Sequence, residues 1–273
     1  MVSPFIHLHN HSEYSLLDAT CRVDKKGCDL VSCAAKCGMD AVALTDHGNL
    51  FGALDFYEAA RKAGVKPILG CEFYLTRGSR FDRSVTSQKE RYNHLVLLAK
   101  NNNGYRNLMH LASQAYTEGF YYKPRIDKEL LQQYGKDIFC LTACLKGEVP
   151  HFLAQDQMDK ARETLEEYVK IFDKDSVFLE IQENGIPEQK KANQGMIQLA
   201  KEMGLPLVAT NDVHYPAAED AEAHDILLCV QTGKPEDDPG RLRYSSREFY
   251  FKNAEEMVRA FADVPEADRK SVV

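Results

Sequence analysis

At 273 residues, with 44% hydrophobic and 27% charged positions, the chain is long enough to bury a barrel-sized core and has the make-up of a globular enzyme. Its net charge of -7 argues against a domain that coats duplex nucleic acid by charge, while leaving room for a strand end held at a metal. No apolar run reaches the length of a membrane span, and the first residues lack the basic-then-apolar layout of a signal peptide, so a cytoplasmic protein with no membrane partner is expected.

The chain opens on FIHLHNHSEYSLLD, residues 5–18. In an extended strand, residues two apart share a face, so His7, His9 and His11 would project one way with Leu8 and Asn10 opposite. Imidazoles at i and i+2 can chelate one ion without bending the backbone. The apolar lead-in Phe5-Ile6 keeps His7 in the strand body and brings His9 and His11 to its open end, which favours those two; taken alone, the pattern also fits a surface histidine cluster. A helix is predicted over about 25–37, with Cys28, Cys33 and Cys37 as small buried side chains. The eight cysteines, unsignalled and without paired C-x-x-C spacing, read as free thiols.

From there apolar runs alternate with helical ones. Strands are predicted over 40–46, 65–71, 94–99, 137–143, 177–183 and 205–211, and helices over 52–62, 104–116, 158–172 and 189–203. With the opening stretch this makes seven strands, and the alternation predicts a parallel sheet closed as a barrel, ahead of an open doubly wound sheet. No glycine-rich phosphate loop follows any strand.

Barrel sites lie where strands end, so the residues after each apolar run matter most. AVALT is followed by Asp46-His47-Gly48-Asn49, KPILG by Cys71-Glu72, IFCLT by Ala143-Cys144, and PLVAT by Asn211-Asp212-Val213-His214. One such ending is ordinarily a helix cap or a turn; together with the opening histidines they are metal-ligand types at five strand ends. His94 begins its run, at the wrong end of a parallel strand, unless residues 72–94 form a hairpin that returns it beside Glu72. Asp46 would orient His47 or cap the next helix, and Glu180 and His224 are candidates for the cavity wall. Mixed rings and cations mark Arg77, Arg80, Arg83, Lys89 and Arg91, and then Phe120, Tyr121, Tyr122, Lys123 and Arg125. Such mixtures suit a single strand, whose bases stack and whose phosphates pair with cations, and they equally suit a solvated loop.

FIHLHNHSEYSLLD, ALTDHGNLFGALDFY, KPILGCEFY, HLVLLAKNNNGYRNL, EGFYYKPRID, LTACLKGE and ATNDVHY together resemble, in order and over nearly the whole chain, the PHP (polymerase and histidinol phosphatase) domain at the N-terminus of bacterial DNA polymerase III α subunits. The resemblance implies a distorted seven-stranded β/α (TIM-like) barrel with three divalent ions, held by His9, His11, Asp18, His47, Glu72, His94, Cys144, Asp212 and His214. A thiolate at Cys144 leans towards zinc, while the imidazoles and carboxylates would also accept manganese or magnesium. It further implies a metal-dependent phosphoesterase of 3′–5′ exonuclease type that proofreads DNA 3′ ends. The partners implied are that single strand, the rest of the polymerase and a separate exonuclease subunit. An inert metal-stabilised scaffold, or a small-molecule phosphatase of the histidinol-phosphatase type, are the alternatives. The expected organisation is one PHP domain over residues 1–273, with its core up to about 230 and the remainder leading towards a polymerase region absent from this chain.

Overall fold

The computed structural model describes residues 5–24, 27–84 and 92–269. After an extended segment at 5–11 and a short 3-10 turn, strands β1 (Val23–Asp24) and β2 (Gly27–Cys28) form a small antiparallel pair ahead of helix α1 (Asp29–Lys36). Then come β3 (Ala41–Leu44), α2 (Ala53–Ala63), β4 (Lys66–Leu75), β5 (Asn93–Ala99), α3 (Asn102–Thr117), β6 (Arg125–Ile126), α4 (Lys128–Tyr134) and β7 (Ile138–Leu141). Helices α5 (Glu148–Ala154) and α6 (Met158–Phe172), β8 (Val177–Gln182), α7 (Pro187–Met203), β9 (Leu207–Thr210), α8 (Ala221–Thr232), α9 (Ala254–Ala260) and α10 (Pro265–Arg269) complete the order. Among the described residues no helix is long and apolar enough to cross a membrane.

The predicted helices form where the periodicity placed them because each has an apolar stripe and a stop. In α6, Ala161, Leu165, Tyr168 and Phe172 recur at helical spacing and are buried. Helix α3 starts on the Asn101 side chain, which accepts from the N–H groups of Asn103 and Gly104, and α7 ends on Gly204 in the left-handed conformation. Helix α1 starts at Asp29, later than predicted, because Gly27 and Cys28 pair with Val23 and Asp24 instead; Lys25 lies outside the described residues. Cys33 and Cys37 are half-buried, whereas Cys21, Cys71 and Cys140 are buried.

The curled sheet runs β3-β4-β5-β7-β8-β9, with β6 alongside β4. It is mixed where a parallel sheet was predicted: β5 lies antiparallel to both β4 and β7. The cause is the hairpin, in which β4 continues past its predicted end to Leu75 and Tyr74 pairs with His94. The opening segment closes the curl. The Ala43 and Thr45 N–H groups donate to the His7 and Asn10 carbonyls, while Val213 N–H donates to the His9 carbonyl and His11 N–H to that of Val213. One stretch therefore bonds to both ends of the strand path.

Two apolar layers follow from the strand alternation. Leu8, Ala43, Ile68, Val96, Leu98, Leu141, Phe178 and Val208 pack together inside the curl, while Val42, Leu44, Phe73, Leu95, Leu97, Leu179 and Leu207 face the helices. Along the inner face the apolar residues give way to polar ones, Ile68 to Glu72 on β4, Val96 to His94 on β5, Phe178 to Glu180 on β8 and Val208 to Thr210 on β9. The polar end is the site.

Two of the cations read as strand contacts are instead fixed inside the protein. Arg125 is fully buried and donates to the carbonyls of Gly119, Arg80 and Asp82. Arg80 is 7% exposed and pairs with Glu118, Asp127 and Glu129. Both tie the loop after β4 to the loop before α4, which is why neither is offered to a nucleic acid; Lys89 and Arg91 lie outside the described residues. Arg125→Ala would leave the buried carbonyls of Gly119 and Arg80, and the more exposed one of Asp82, without this donor. It is expected to lower unfolding stability by about 3 kcal/mol in urea denaturation, whereas a solvated strand contact would cost less than about 0.5 kcal/mol.

Candidate metal centre

Glu72 stands at the middle of the site. It lies within β4, beyond the point where β3 ends, so a buried strand carries it under the mouth of the curl. His94 Nδ1 is 2.9 Å from its Oε1, His47 Nδ1 is 2.7 Å from Oε2, and His9 Nε2 and His11 Nε2 stand 3.3 and 3.5 Å from its two oxygens. Asp212 Oδ1 lies 3.3 Å from His9 Nε2 and 3.1 Å from His11 Nε2. Asp18 closes one side, 2.9 Å from His47 Nε2, and the Cys144 sulfur closes another, 3.9 Å from His94 Nδ1. His214 packs its ring 4.6 Å from that of His11. Three groups, His11-His47-His214, His9-His11-Asp212 and His47-Glu72-His94, each present ligand atoms within 4.8 Å of one another.

Local backbone aims these groups. Ala143 at φ 63° and Asp212 at φ 51° take the left-handed region immediately after β7 and β9, turning Cys144 and Asp212 inward. Gly48 at φ 64° turns the chain after His47, where an added Cβ would stand 2.9 Å from Pro124 and 3.0 Å from Tyr74. His94 arrives through the hairpin, whose antiparallel strand begins at the site's end of the sheet.

His7 does not join them. Its Nε2–H donates to the Lys252 carbonyl and its ring packs on Phe251, so it is a core histidine. Strict alternation, which predicted one face for His7, His9 and His11, breaks after Leu8. There the Asn10 side chain donates to the His7 and Ala43 carbonyls and the backbone bends inward.

A second layer fixes the rings. Glu180, fully buried, accepts from His9 Nδ1 at 2.7 Å, and it also receives the Ala143 N–H and the Thr210 hydroxyl. Asp46 does not cap the next helix, and its carboxylate bonds not to the His47 ring but to the Ser12 N–H, the Ser12 hydroxyl and the Ser15 hydroxyl, Ser15 in turn accepting the His47 backbone N–H. Because Ser15 gives its proton to Asp46, the His11 Nδ1 beside it at 3.1 Å must be the donor there. That leaves the His11 Nε2 lone pair facing Asp212. The same logic holds at His214, whose Nδ1 donates to the Asp212 carbonyl at 2.7 Å. His224 donates to the Asp18 carbonyl.

Electrostatics follow from this crowding. Burial works against a charge on Glu72, but His94, His9 and His47 outweigh it and hold the carboxyl well below the usual carboxylate range. Burial likewise opposes a proton on His47, yet Glu72 and Asp18 raise its pKa to about 9. Burial and the neighbouring His47 and His214 push His11 down to about 3. Burial, with Asp212 and Glu72 nearby, pushes the Cys144 thiol well up.

The donors fit divalent cations. His9 Nε2, His47 Nδ1 and Glu72 Oε2 are buried without a hydrogen bond of acceptable geometry, and the His11 lone pair faces a carboxylate oxygen. Lone pairs converging in one buried space are an arrangement that cations resolve. A cavity of about 190 Å³ opens over them, with Lys146, Gln182, Asn184, Tyr244 and Phe249 in its wall. Of the remaining candidates for strand contacts, only Lys123 approaches, 5.4 Å over the Tyr74 ring that in turn stacks on His47. Tyr122 and Arg83 are exposed on their loops, and Tyr121 is half-buried. Sequence reading missed Ser15 and Tyr244. Ser15 could have been suspected from its four-residue spacing to His11 on a turn, while nothing local marks Tyr244.

The family model for the PHP domain matches residues 7–184. The chain is 48% identical over 262 residues to the DNA polymerase III subunit alpha of Treponema pallidum, covering 96% of this chain and 22% of that protein. With the DNA polymerase III subunit alpha of Thermus aquaticus it shares 48% identity over 267 residues, covering 97% and 21%. The chain thus spans about a fifth of the length of the curated relatives it matches. A solved two-domain protein from Bacteroides vulgatus, described as containing a predicted PHP-like metal-dependent phosphoesterase, is 16% identical with a TM-score of 0.44, over 95% of this chain and 65% of that one.

Glu180→Gln keeps the shape behind His9 but removes the charge that its Nδ1–H meets. Divalent-metal affinity is expected to fall about ten- to a hundredfold, measured by competition with a chromophoric chelator, because the imidazole loses basicity and orientation.

Proposed function

The chain belongs to the PHP domain family, and on that premise we propose that it is the metal-dependent phosphoesterase part of a DNA polymerase III α subunit, acting on DNA 3′ ends as a 3′–5′ proofreading exonuclease. The observation that carries this reading is the convergence of imidazoles, carboxylates and a thiol from both ends and the middle of the chain on one buried cluster. Similarity to polymerase α subunits over nearly the whole chain supports the choice of substrate.

His9, His11, Asp18, His47, Glu72, His94, Cys144, Asp212 and His214 are too many ligands for one ion and together would hold three. Bound divalent ions would supply a water activated near neutral pH and a clamp on phosphate oxygens. The chain itself holds the ligand rings in the required tautomers through Glu180 and Ser15. Lys146, exposed in the cavity wall, and Lys123 at the rim put positive charge beside an acidic site, as a phosphodiester requires. Cys144 favours zinc at its end of the cluster, and the carboxylates admit manganese or magnesium.

Elemental analysis after loading with zinc or manganese is expected to give about three ions per chain, and chelation is expected to lower the melting temperature, because the emptied cluster leaves like charges buried together. One ion or none, with an unchanged melting temperature, would remove the cluster. Asp212→Asn tests the activity. Asparagine tolerates the left-handed backbone found at position 212, so the fold should survive while the carboxylate charge is lost. Hydrolysis of a 5′-labelled single strand from its 3′ end is expected to fall about a hundredfold or more. A metal-loaded wild type that is inert would point to a scaffold, and activity that survives the substitution would place the reaction elsewhere.

A further inference from the structure

The ring of His214 has one lone pair to give. Its Nδ1 must donate to the Asp212 backbone carbonyl, 2.7 Å away, because a carbonyl can only accept. The neutral ring's lone pair is therefore on Nε2. That atom already has a partner, the Tyr244 hydroxyl at 3.0 Å. We infer that Tyr244 competes with the metal for His214, so that filling this position requires the tyrosine to swing away and the segment that carries it to lift from the cavity.

The surroundings suit a latch. Tyr244 lies on an irregular stretch that crosses the mouth between two anchors. At one end Arg241 pairs through two nitrogens with the Asp225 carboxylate on α8. At the other, the Phe249 carbonyl accepts from the His214 N–H and Phe251 N–H donates to the Tyr215 carbonyl. Between them, among the described residues, the only hydrogen bond from 242–247 to the barrel is that of Tyr244. Leu242, Arg243, Ser245 and Arg247 are exposed, so apart from the Tyr244 side chain little holds this stretch to the barrel. The Tyr244 ring rests edge-on against His214, His224 and Phe249, at 5.2, 4.9 and 4.8 Å between centroids. Removing the hydroxyl alone leaves this packing in place. Tyr244 is thus a positioning residue: it acts on the occupancy of the centre through His214.

The inference rests on reading the site as a metal centre, and its test separates the two. Tyr244→Phe and wild type are titrated with zinc alone and with manganese alone against a chromophoric chelator. With the competing hydrogen bond gone, the variant is expected to hold its weakest ion about three- to tenfold more tightly, the scale of one hydrogen bond. Equal or weaker binding would overturn the competition, since a hydroxyl that merely packs would change nothing and one that supports the site would weaken it. Trypsin supplies a second readout through Arg243 and Arg247. Cleavage there is expected to be slow in the metal-free wild type and faster after Tyr244→Phe or after zinc loading, with melting temperatures confirming an intact fold. Cleavage indifferent to both changes would mean that the tyrosine latches nothing. A wild type that takes up no zinc would fail the metal reading, and the competition with it, whereas zinc uptake with indifferent binding and cleavage would fail the latch alone.

Discussion

A carboxylate buried in the middle of a strand governs this protein. Glu72 is 1% exposed and sits between apolar neighbours on a ten-residue strand, where an unpaired charge would cost several kcal/mol. Four histidine rings stand within 3.5 Å of its oxygens. Their positions are set by chain segments that have little else in common: the opening stretch, the turn after β3 and the start of β5. These segments meet around one carboxylate at the same end of the sheet.

That demand is met by an ordered set of orienting groups. Three of the five rings that face the cluster have their other nitrogen held from behind. Glu180 holds His9, Ser15 holds His11 with Asp46 behind it, and the Asp212 carbonyl holds His214. Each of these contacts fixes a tautomer, and a fixed tautomer is what turns an imidazole into a directed lone pair. The same segment that supplies His9 and His11 bonds to both ends of the strand path, so the stretch that closes the curl also carries part of the centre.

Much of this was legible in the sequence, for local reasons. Helices such as α6 announce themselves because side-chain burial at a 3.6-residue period depends only on neighbours in the chain. The strand-end residues His47, Cys144, Asp212 and His214 could be singled out because a barrel gathers the ends of its strands whatever the details of packing. His94 was readable only through the hairpin argument, which the antiparallel pairing of Tyr74 with His94 bears out. Burial of Arg80 and Arg125 was not readable, since a cation among aromatic residues looks the same whether its partners are distant carbonyls or a nucleic acid.

The sequence by itself determined the alternation of elements, the residue types at the strand ends and the resemblance that orders them, because these depend on short-range periodicity and on motifs that survive as text. Only the tertiary structure decided what holds His7 in the core, what Asp46 and Glu180 hold, and that Tyr244 reaches His214 from thirty positions away. Those outcomes turn on hydrogen bonds between groups far apart in the chain, whose partners exist only once the sheet has curled. A side chain's residue type limits what it can bond, but the fold chooses which of the possible partners arrives.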